Sequence, residues 1–254
     1  MNALERTLIE KAGYDNGWEI VVESVPEQVV LASALHRANA TIREDSGRGR
    51  WLTSLPAGSL LIELSKAEAD YYAGEGQFRV SNDRELGHLL RHAARLARSL
   101  PNQPEVRYLA AVEKKLAATI TNTEVESLVR QRVGQDIYRD SLMDYWGGAC
   151  AVTGIAIPAL LRASHAIPWS ECQSDADRLN VFNGFLLAAH LDALFDRHLI
   201  SFDDTGEILF APSITLEIQN KLGLKESLRL RWISPEHIPF LKAHRAVFIR
   251  NQQV

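Results

Sequence analysis

The clearest periodic pattern in the first half of the chain spans residues 83–100, where apolar side chains recur every three or four positions. This spacing predicts an amphipathic helix, and Asp83 is suited to cap its N-terminus. Such a helix carries a second face with no interleaved acid, formed by five basic residues: Arg84, His88, Arg91, Arg95 and Arg98. This stripe is either a solvated helix face or a surface that contacts nucleic-acid phosphates.

Weaker patterns predict the rest of this half. They indicate a helix over 2–13, a strand over 18–23, a helix over 27–40 and a strand over 58–64. Pro101 and Pro104 end the long helix and mark a break. Further helices are predicted over 105–119 and from Thr123 to about Tyr145. The domain boundary therefore lies between Pro101 and Thr123, and we divide the chain into residues 1–120 and 121–254.

Three short motifs organise the second half. A β-like run leads through Ser164-His165 and closes at Pro168, and Asn183-Gly184 is typical of a turn. After it, helical spacing places Asp192 and Asp196 four positions apart on one face. A histidine on a strand, an asparagine at a turn and two acids on a helix make a ββα arrangement around one divalent cation. Downstream patterns predict a hairpin pairing 200–202 with 208–210, a strand over 228–233 and a terminal helix over 235–250.

This segment resembles the HNH nuclease family, in particular a bacterial restriction-type branch. The resemblance rests on three motifs in order, from about Gln135 onward: ASHAIPW at 163–169, NGFLL at 183–187 and LDALFDRHLISF at 191–202. It implies a fold of class α+β, with an N-terminal α+β domain and a C-terminal ββα-metal (HNH) nuclease domain. The implied activity is that of an endonuclease, a phosphodiester hydrolase acting on DNA.

The resemblance also implies roles for individual residues. His165 stands at the position of the general base, and Asn183 either ties the loop together or, as in some relatives, ligates the metal. Asp192, Asp196 and Ser164 occupy ligand positions for Mg²⁺ or Mn²⁺, although serine is a poor ligand where relatives have an acid or histidine. Nearby, His190 is expected to contact DNA or support the metal ligands, and His198 stands where the branch often has glycine.

Composition and charge disfavour some functions and cofactors. The net charge of −4 counts mildly against a general nucleic-acid binder, so DNA contacts should come from a local surface such as the basic stripe. Because Cys150 and Cys172 form no CxxC pair, we expect no structural zinc of the kind found in some HNH proteins. The N-terminus has no signal-peptide pattern and no apolar run suits a membrane span, so the expected location is cytoplasmic.

Two other functions stay open from the sequence. The replacement of expected ligands by Ser164 and Asp192 is compatible with a DNA-binding protein that kept the HNH scaffold but lost cleavage. A toxin or effector nuclease with general DNA cleavage is the second alternative. We expect residues 1–120 to recognise DNA, although no motif there identifies the target, and a homodimer stays open as the assembly.

Overall fold

The computed structural model describes residues 1–45, 50–117, 123–224 and 227–252. The chain divides into two compact units, Met1–Leu100 and Pro101–Val254. The division falls at the proline-bearing break after the long amphipathic helix. The predicted boundary between residues 120 and 121 lies outside the described residues. The helix before that position, Gln103–Ala117, packs on the helix after it, Thr123–Tyr145. The first of these helices therefore belongs to the C-terminal unit.

The N-terminal unit combines helices with one antiparallel sheet. Its elements in chain order are α1 (Ala3–Asp15), β1 (Ile20–Val25), β2 (Gln28–Ala32), β3 (Ala40–Glu44), β4 (Trp51–Ser54), α2 (Ser59–Ala67), β5 (Tyr72–Gly74), β6 (Gln77–Val80) and α3 (Asp83–Ser99). The strand order is β1-β2-β3-β4-β6-β5, so β5 and β6 return to the edge of the sheet that β4 left open.

The core of this unit lies between one face of the sheet and the helices α1 and α3. Leu31, Ile42 and Phe78 alternate with more exposed neighbours along their strands and are fully buried. The Trp18 indole nitrogen donates to the Leu90 carbonyl oxygen at 2.8 Å, which ties the start of the sheet to α3. The predicted helix over 83–100 is confirmed as α3, and its N-cap is Asn82 rather than Asp83.

Two predicted elements of this unit are wrong. Residues 27–40 contain β2 and the start of β3 rather than a helix, because Val29 and Leu31 alternate with half-buried neighbours in a sheet. Residues 58–64 form the N-cap and first part of α2 rather than a strand, and the buried apolar positions, Leu60 and Leu64, are one helical turn apart. Short apolar runs satisfy both periods locally, and packing decides between them.

The C-terminal unit is also mixed. Its elements are α4 (Gln103–Ala117), α5 (Thr123–Tyr145), β7 (Leu161–His165), α6 (Asp175–Arg178), β8 (Gly184–Ala188), α7 (Ala189–Asp196), β9 (Ile200–Phe202), β10 (Ile208–Phe210), α8 (Leu216–Lys221) and α9 (Ile238–Arg250). Strands β7 and β8 form one antiparallel pair and β9 and β10 another. The predicted strand over 228–233 is wrong, since Arg229 makes only an isolated bridge to Glu207 within the described chain.

Aromatic side chains fill the core of this unit. Phe185 packs edge-on against Phe195 and Phe202, and the long helix α5 adds Tyr145 and Trp146 at its end. This core holds α5, α7 and the pair β7–β8 together. The predicted α+β class is confirmed. Within the described residues, no helix is both long enough and apolar enough to cross a membrane.

Candidate active site

The predicted ββα arrangement forms from β7, β8 and α7. Strand β7 pairs with β8 so that Ser164 faces Phe185 and His165 faces Gly184. Helix α7 begins at Ala189, directly after β8, and contacts both strands. The motifs that are separate in sequence therefore meet around one short strand pair.

Gly184 explains why the two strands approach so closely. A Cβ atom at this position would lie 2.0 Å from the Ser164 carbonyl oxygen and 2.3 Å from the Tyr138 hydroxyl oxygen. Both distances are far inside van der Waals contact, and the carbonyl belongs to the backbone of β7. Only glycine fits here without displacing the strand that carries His165.

The His165 ring is held on three sides. Its Nε2 lies 2.9 Å from the Arg178 carbonyl oxygen, which can only accept, so Nε2 carries the hydrogen. The Tyr138 ring stacks on it with centroids 3.7 Å apart, and Trp169 meets it edge-on at 6.0 Å. The Nδ1 atom therefore has the lone pair, which is the arrangement that a base needs.

Burial also decides the charge of His165. Desolvation of the ring lowers the pKa of His165 to about 4, although the hydrogen bond to the Arg178 carbonyl opposes the shift. The imidazole is consequently neutral at pH 7. A neutral ring with one nitrogen bound to a carbonyl is able to accept a proton through the other nitrogen.

The Asn183 side chain holds together the loop between β7 and β8. The side chain is fully buried, and its Oδ1 accepts from the Ile167 amide at 2.8 Å. Its Nδ2 donates to the carbonyl oxygens of Asp177 at 3.1 Å and Ile167 at 3.3 Å, and contacts the Cys172 sulfur at 3.3 Å. Both polar ends of Asn183 therefore bind the loop that supplies the Arg178 carbonyl, a geometry that suits a positioning residue.

The predicted metal ligands are only partly assembled. The buried Ser164 hydroxyl donates to Asp192 Oδ1 across the contact of β7 with α7. Asp196 lies one turn further along α7 and is exposed. Among the described residues, these acids are not part of a cluster of three His, Cys, Asp or Glu ligands. Ser164 and Asp192 offer oxygen donors in contact with each other, and Asp196 would add a second carboxylate; such donors suit a hard cation whose other ligands are water and phosphate oxygens.

The neighbouring histidines differ from one another. His190 is exposed in the first turn of α7. His198 adopts a positive φ of 54° just after α7, and the amides of His198 and Leu199 bond back to Phe195 and Leu194 as in a Schellman motif. That conformation favours glycine, which gives a physical reason for the glycine found there in the resembling branch. The ring of His198 stacks on His244 at 4.4 Å.

The basic stripe belongs to the N-terminal unit. Arg84, His88 and Arg91 are exposed on α3, whereas Arg95 and Arg98 are half-buried. His88 bonds to Glu68, and Arg91 Nε donates to Asn16 Oδ1 at 2.9 Å. The sequence shows no acid within the stripe, but the fold brings Glu68 to it from the end of α2.

Sequence reasoning missed several groups that shape the site. Tyr138 and Trp169 enclose the His165 ring, and the carbonyl oxygens of Arg178 and Asp177 hold His165 and Asn183. Carbonyl groups are present at every residue, so no residue type signals their role. Tyr138 also lies on a long helix with many apolar positions, where nothing marks it as a neighbour of His165.

Comparison with known proteins agrees with this geometry. Residues 150–203 match a family model described as HNH endonuclease. The matched segment contains β7, β8, α7 and β9 and the residues Ser164, His165, Asn183, His190, Asp192 and Asp196, whereas Tyr138, which stacks on His165, lies before it. No curated protein matches the chain. The segment that is similar to HNH endonucleases is thus the segment that contains His165, Asn183 and Asp192.

Proposed function

We propose that this protein is a metal-dependent DNA endonuclease of restriction type, in which His165 is the general base. The observation that carries the proposal is the orientation of His165. Its Nε2 is bound to the Arg178 carbonyl oxygen, which leaves Nδ1 to take a proton from water. The carbonyl also stabilises the imidazolium that forms, because the Nε2 hydrogen bond strengthens when the ring becomes charged.

In this proposal Asp192 and Asp196 hold a Mg²⁺ or Mn²⁺ ion, with Ser164 as a weak ligand or as the group that orients Asp192. A bound divalent ion would neutralise charge on the scissile phosphate and assist the leaving oxygen. The chain's own contribution is to hold the Asp192 carboxylate through the Ser164 hydroxyl and to keep the base neutral. His190 would contact a phosphate, and its exposure in the first turn of α7 supports this role.

We further propose that the N-terminal unit recognises DNA, with the arginines of the α3 stripe contacting phosphates. In the sequence, the stripe is the most regularly spaced group of basic residues of a chain whose net charge is −4. The restriction-type role, as opposed to a toxin, depends on this division of labour between a recognition unit and a nuclease unit.

The test is nicking of supercoiled plasmid by the full chain with Mg²⁺ or Mn²⁺. His165→Ala should lower the rate by roughly 10²–10⁴-fold, the usual contribution of a general base, while circular dichroism stays unchanged. Asp192→Ala and Asp196→Ala should each weaken divalent-ion binding in calorimetry, and Glu217→Ala, which removes a surface acid of α8, should not.

Near-normal cleavage by a folded His165→Ala variant would reject the role of His165. A wild-type chain that binds plasmid but does not nick it with either ion would instead support the inactive HNH scaffold, for which the Ser164 replacement is the specific observation.

A further inference from the structure

A second group of metal-ligating side chains lies in the N-terminal unit. His88 and His92 are one turn apart on α3, and Glu68 follows the C-terminal end of α2. The Glu68 Oε1 atom is 2.8 Å from His88 Nε2 and 2.5 Å from His92 Nδ1. Three ligand atoms from two helices therefore converge within 4.8 Å of one another.

The chemistry of this cluster differs from that of the nuclease site. Two imidazole nitrogens and one carboxylate suit zinc and related first-row transition metals, whereas Mg²⁺ prefers oxygen ligands alone. The i, i+4 spacing places both rings on one face of α3. On His92, Nε2 is buried without a hydrogen-bond partner among the described residues, so the one polar contact that orients this ring is made by Nδ1 within the cluster.

Acidic side chains lie beside the cluster, as do the exposed arginines Arg84 and Arg91 of α3. Burial and the charges of Glu85, Glu68 and Asp70 raise the pKa of Tyr71, whose ring centroid is 6.2 Å from that of His88. The contacts of Glu68 Oε1 with both imidazoles fix its direction toward the point where the three ligand atoms converge.

We propose that Glu68, His88 and His92 bind a divalent transition-metal ion of the zinc class, which joins the end of α2 to α3. A tetrahedral zinc with ligand distances of about 2.0–2.1 Å separates neighbouring ligand atoms by roughly 3.3 Å. The present separations of 2.5 and 2.8 Å are those of hydrogen bonds, so binding needs only small side-chain rotations and loss of the bridging protons. The His88 side chain is 57% exposed, so an ion could reach the cluster from solvent.

This site is independent of the nuclease proposal and changes the role of one residue. His88 leaves the set of proposed phosphate contacts, and Arg84, Arg91, Arg95 and Arg98 stay in it. The absence of a CxxC pair led us to expect no structural zinc, and a zinc-class ion held by this cysteine-free cluster departs from that expectation. The competing description is a pair of hydrogen bonds from two imidazoles to one carboxylate, with no affinity for metals.

The experiment uses metal-stripped full-length protein titrated with Co²⁺ and Zn²⁺. Visible absorption of Co²⁺ reports a tetrahedral site with nitrogen ligands, and competition by Zn²⁺ gives its affinity. We expect one such site per chain, retained in Asp192→Asn/Asp196→Asn. The double variant His88→Gln/His92→Gln should weaken binding by more than roughly 100-fold, because even outer-shell changes cost 10–100-fold. Zn²⁺ should also raise the melting temperature of the parent chain but not of this variant.

Two further variants keep the test decisive. Glu68→Gln retains the shape of the side chain and replaces a ligand oxygen, so it should weaken Co²⁺ binding even if the histidine pair is needed for folding. Asp70→Asn removes a nearby exposed charge without removing a ligand, and it should keep the spectrum. Absence of a tetrahedral Co²⁺ spectrum in the parent chain would overturn the proposal. An unchanged spectrum and affinity in both ligand variants would overturn it equally.

Discussion

The substitution Asn183→Asp tests whether Asn183 positions the base or ligates the metal. Aspartate has nearly the same shape, and its oxygen can still accept from the Ile167 amide. It can reproduce at most one of the donor contacts that Nδ2 now makes to the Asp177 and Ile167 carbonyl oxygens and the Cys172 sulfur. As a metal ligand, by contrast, an aspartate would be better than an asparagine.

The size of the effect follows from burial and hydrogen-bond geometry. The site is fully buried, so the introduced carboxyl group must be protonated and can replace only one of the lost donors. Each remaining lost hydrogen bond costs about 1 kcal/mol net, and an unsatisfied buried carbonyl costs about 1–3 kcal/mol. We therefore expect the free energy of unfolding to fall by at least about 2 kcal/mol at pH 7.

Cleavage should fall as well, because the loop that Asn183 holds also supplies the Arg178 carbonyl oxygen that orients His165. The loss cannot exceed the contribution of the base itself, roughly 10²–10⁴-fold. The assay combines urea unfolding with single-turnover nicking of Asn183→Asp, His165→Ala and the double variant. If Asn183 acts through His165, the double variant should cleave no more slowly than His165→Ala alone.

Two results would refute this reasoning. An Asn183→Asp variant that keeps the parent stability would show that the three donor contacts do not matter. A variant that cleaves normally and binds Mn²⁺ more tightly would identify position 183 as a metal ligand. Asn183→Ala serves as the reference, since it removes the loop contacts and any ligand atom together.

Three further predictions address the fold, the pH response and DNA binding. Gly184→Ala should lower the free energy of unfolding by about 3 kcal/mol in urea, because the new Cβ atom would overlap the Ser164 carbonyl oxygen. Gly148→Ala is the control: its Cβ atom would meet only Met143, at 3.8 Å, so the cost of about 1 kcal/mol comes from the positive φ of 73° alone. Burial lowers the pKa of His244 from 6.5 to about 4. As the pH falls from 6.5 to 4, this histidine is therefore protonated in the unfolded chain but not in the folded chain, which favours unfolding. This histidine should remove about 2 kcal/mol of stability between pH 7 and pH 5, and the His244→Gln variant should show a correspondingly shallower loss; equal slopes would contradict the assignment. Arg91→Gln/Arg95→Gln should reduce the slope of log K against log[salt] for DNA by about one per lost phosphate contact, whereas an unchanged slope with intact circular dichroism would mean that the stripe faces only solvent.

Local patterns were sufficient for much of the C-terminal half. The hairpin of β9 and β10 and the helix α7 have strong periodic signals bounded by turn residues, and they form where these signals predict them. Asn183-Gly184 was recognisable as a special backbone position. Its physical reason, that a Cβ atom at Gly184 would lie 2.0 Å from the Ser164 carbonyl oxygen, exists only when β7 lies beside β8. The same holds for the His165 position, because motif spacing indicates a base but not which ring nitrogen is available.

In the N-terminal half, the sequence by itself determined the amphipathic helix α3 and the break at Pro101, since both depend on residues close in the chain. It did not determine whether residues 27–40 and 58–64 form helices or strands, because short apolar runs fit either period until a sheet or a helix neighbour is present. The sequence also placed His88 and His92 four positions apart. Only the tertiary structure brings Glu68 to them, because a contact between the end of α2 and the middle of α3 depends on how both helices pack in the fold.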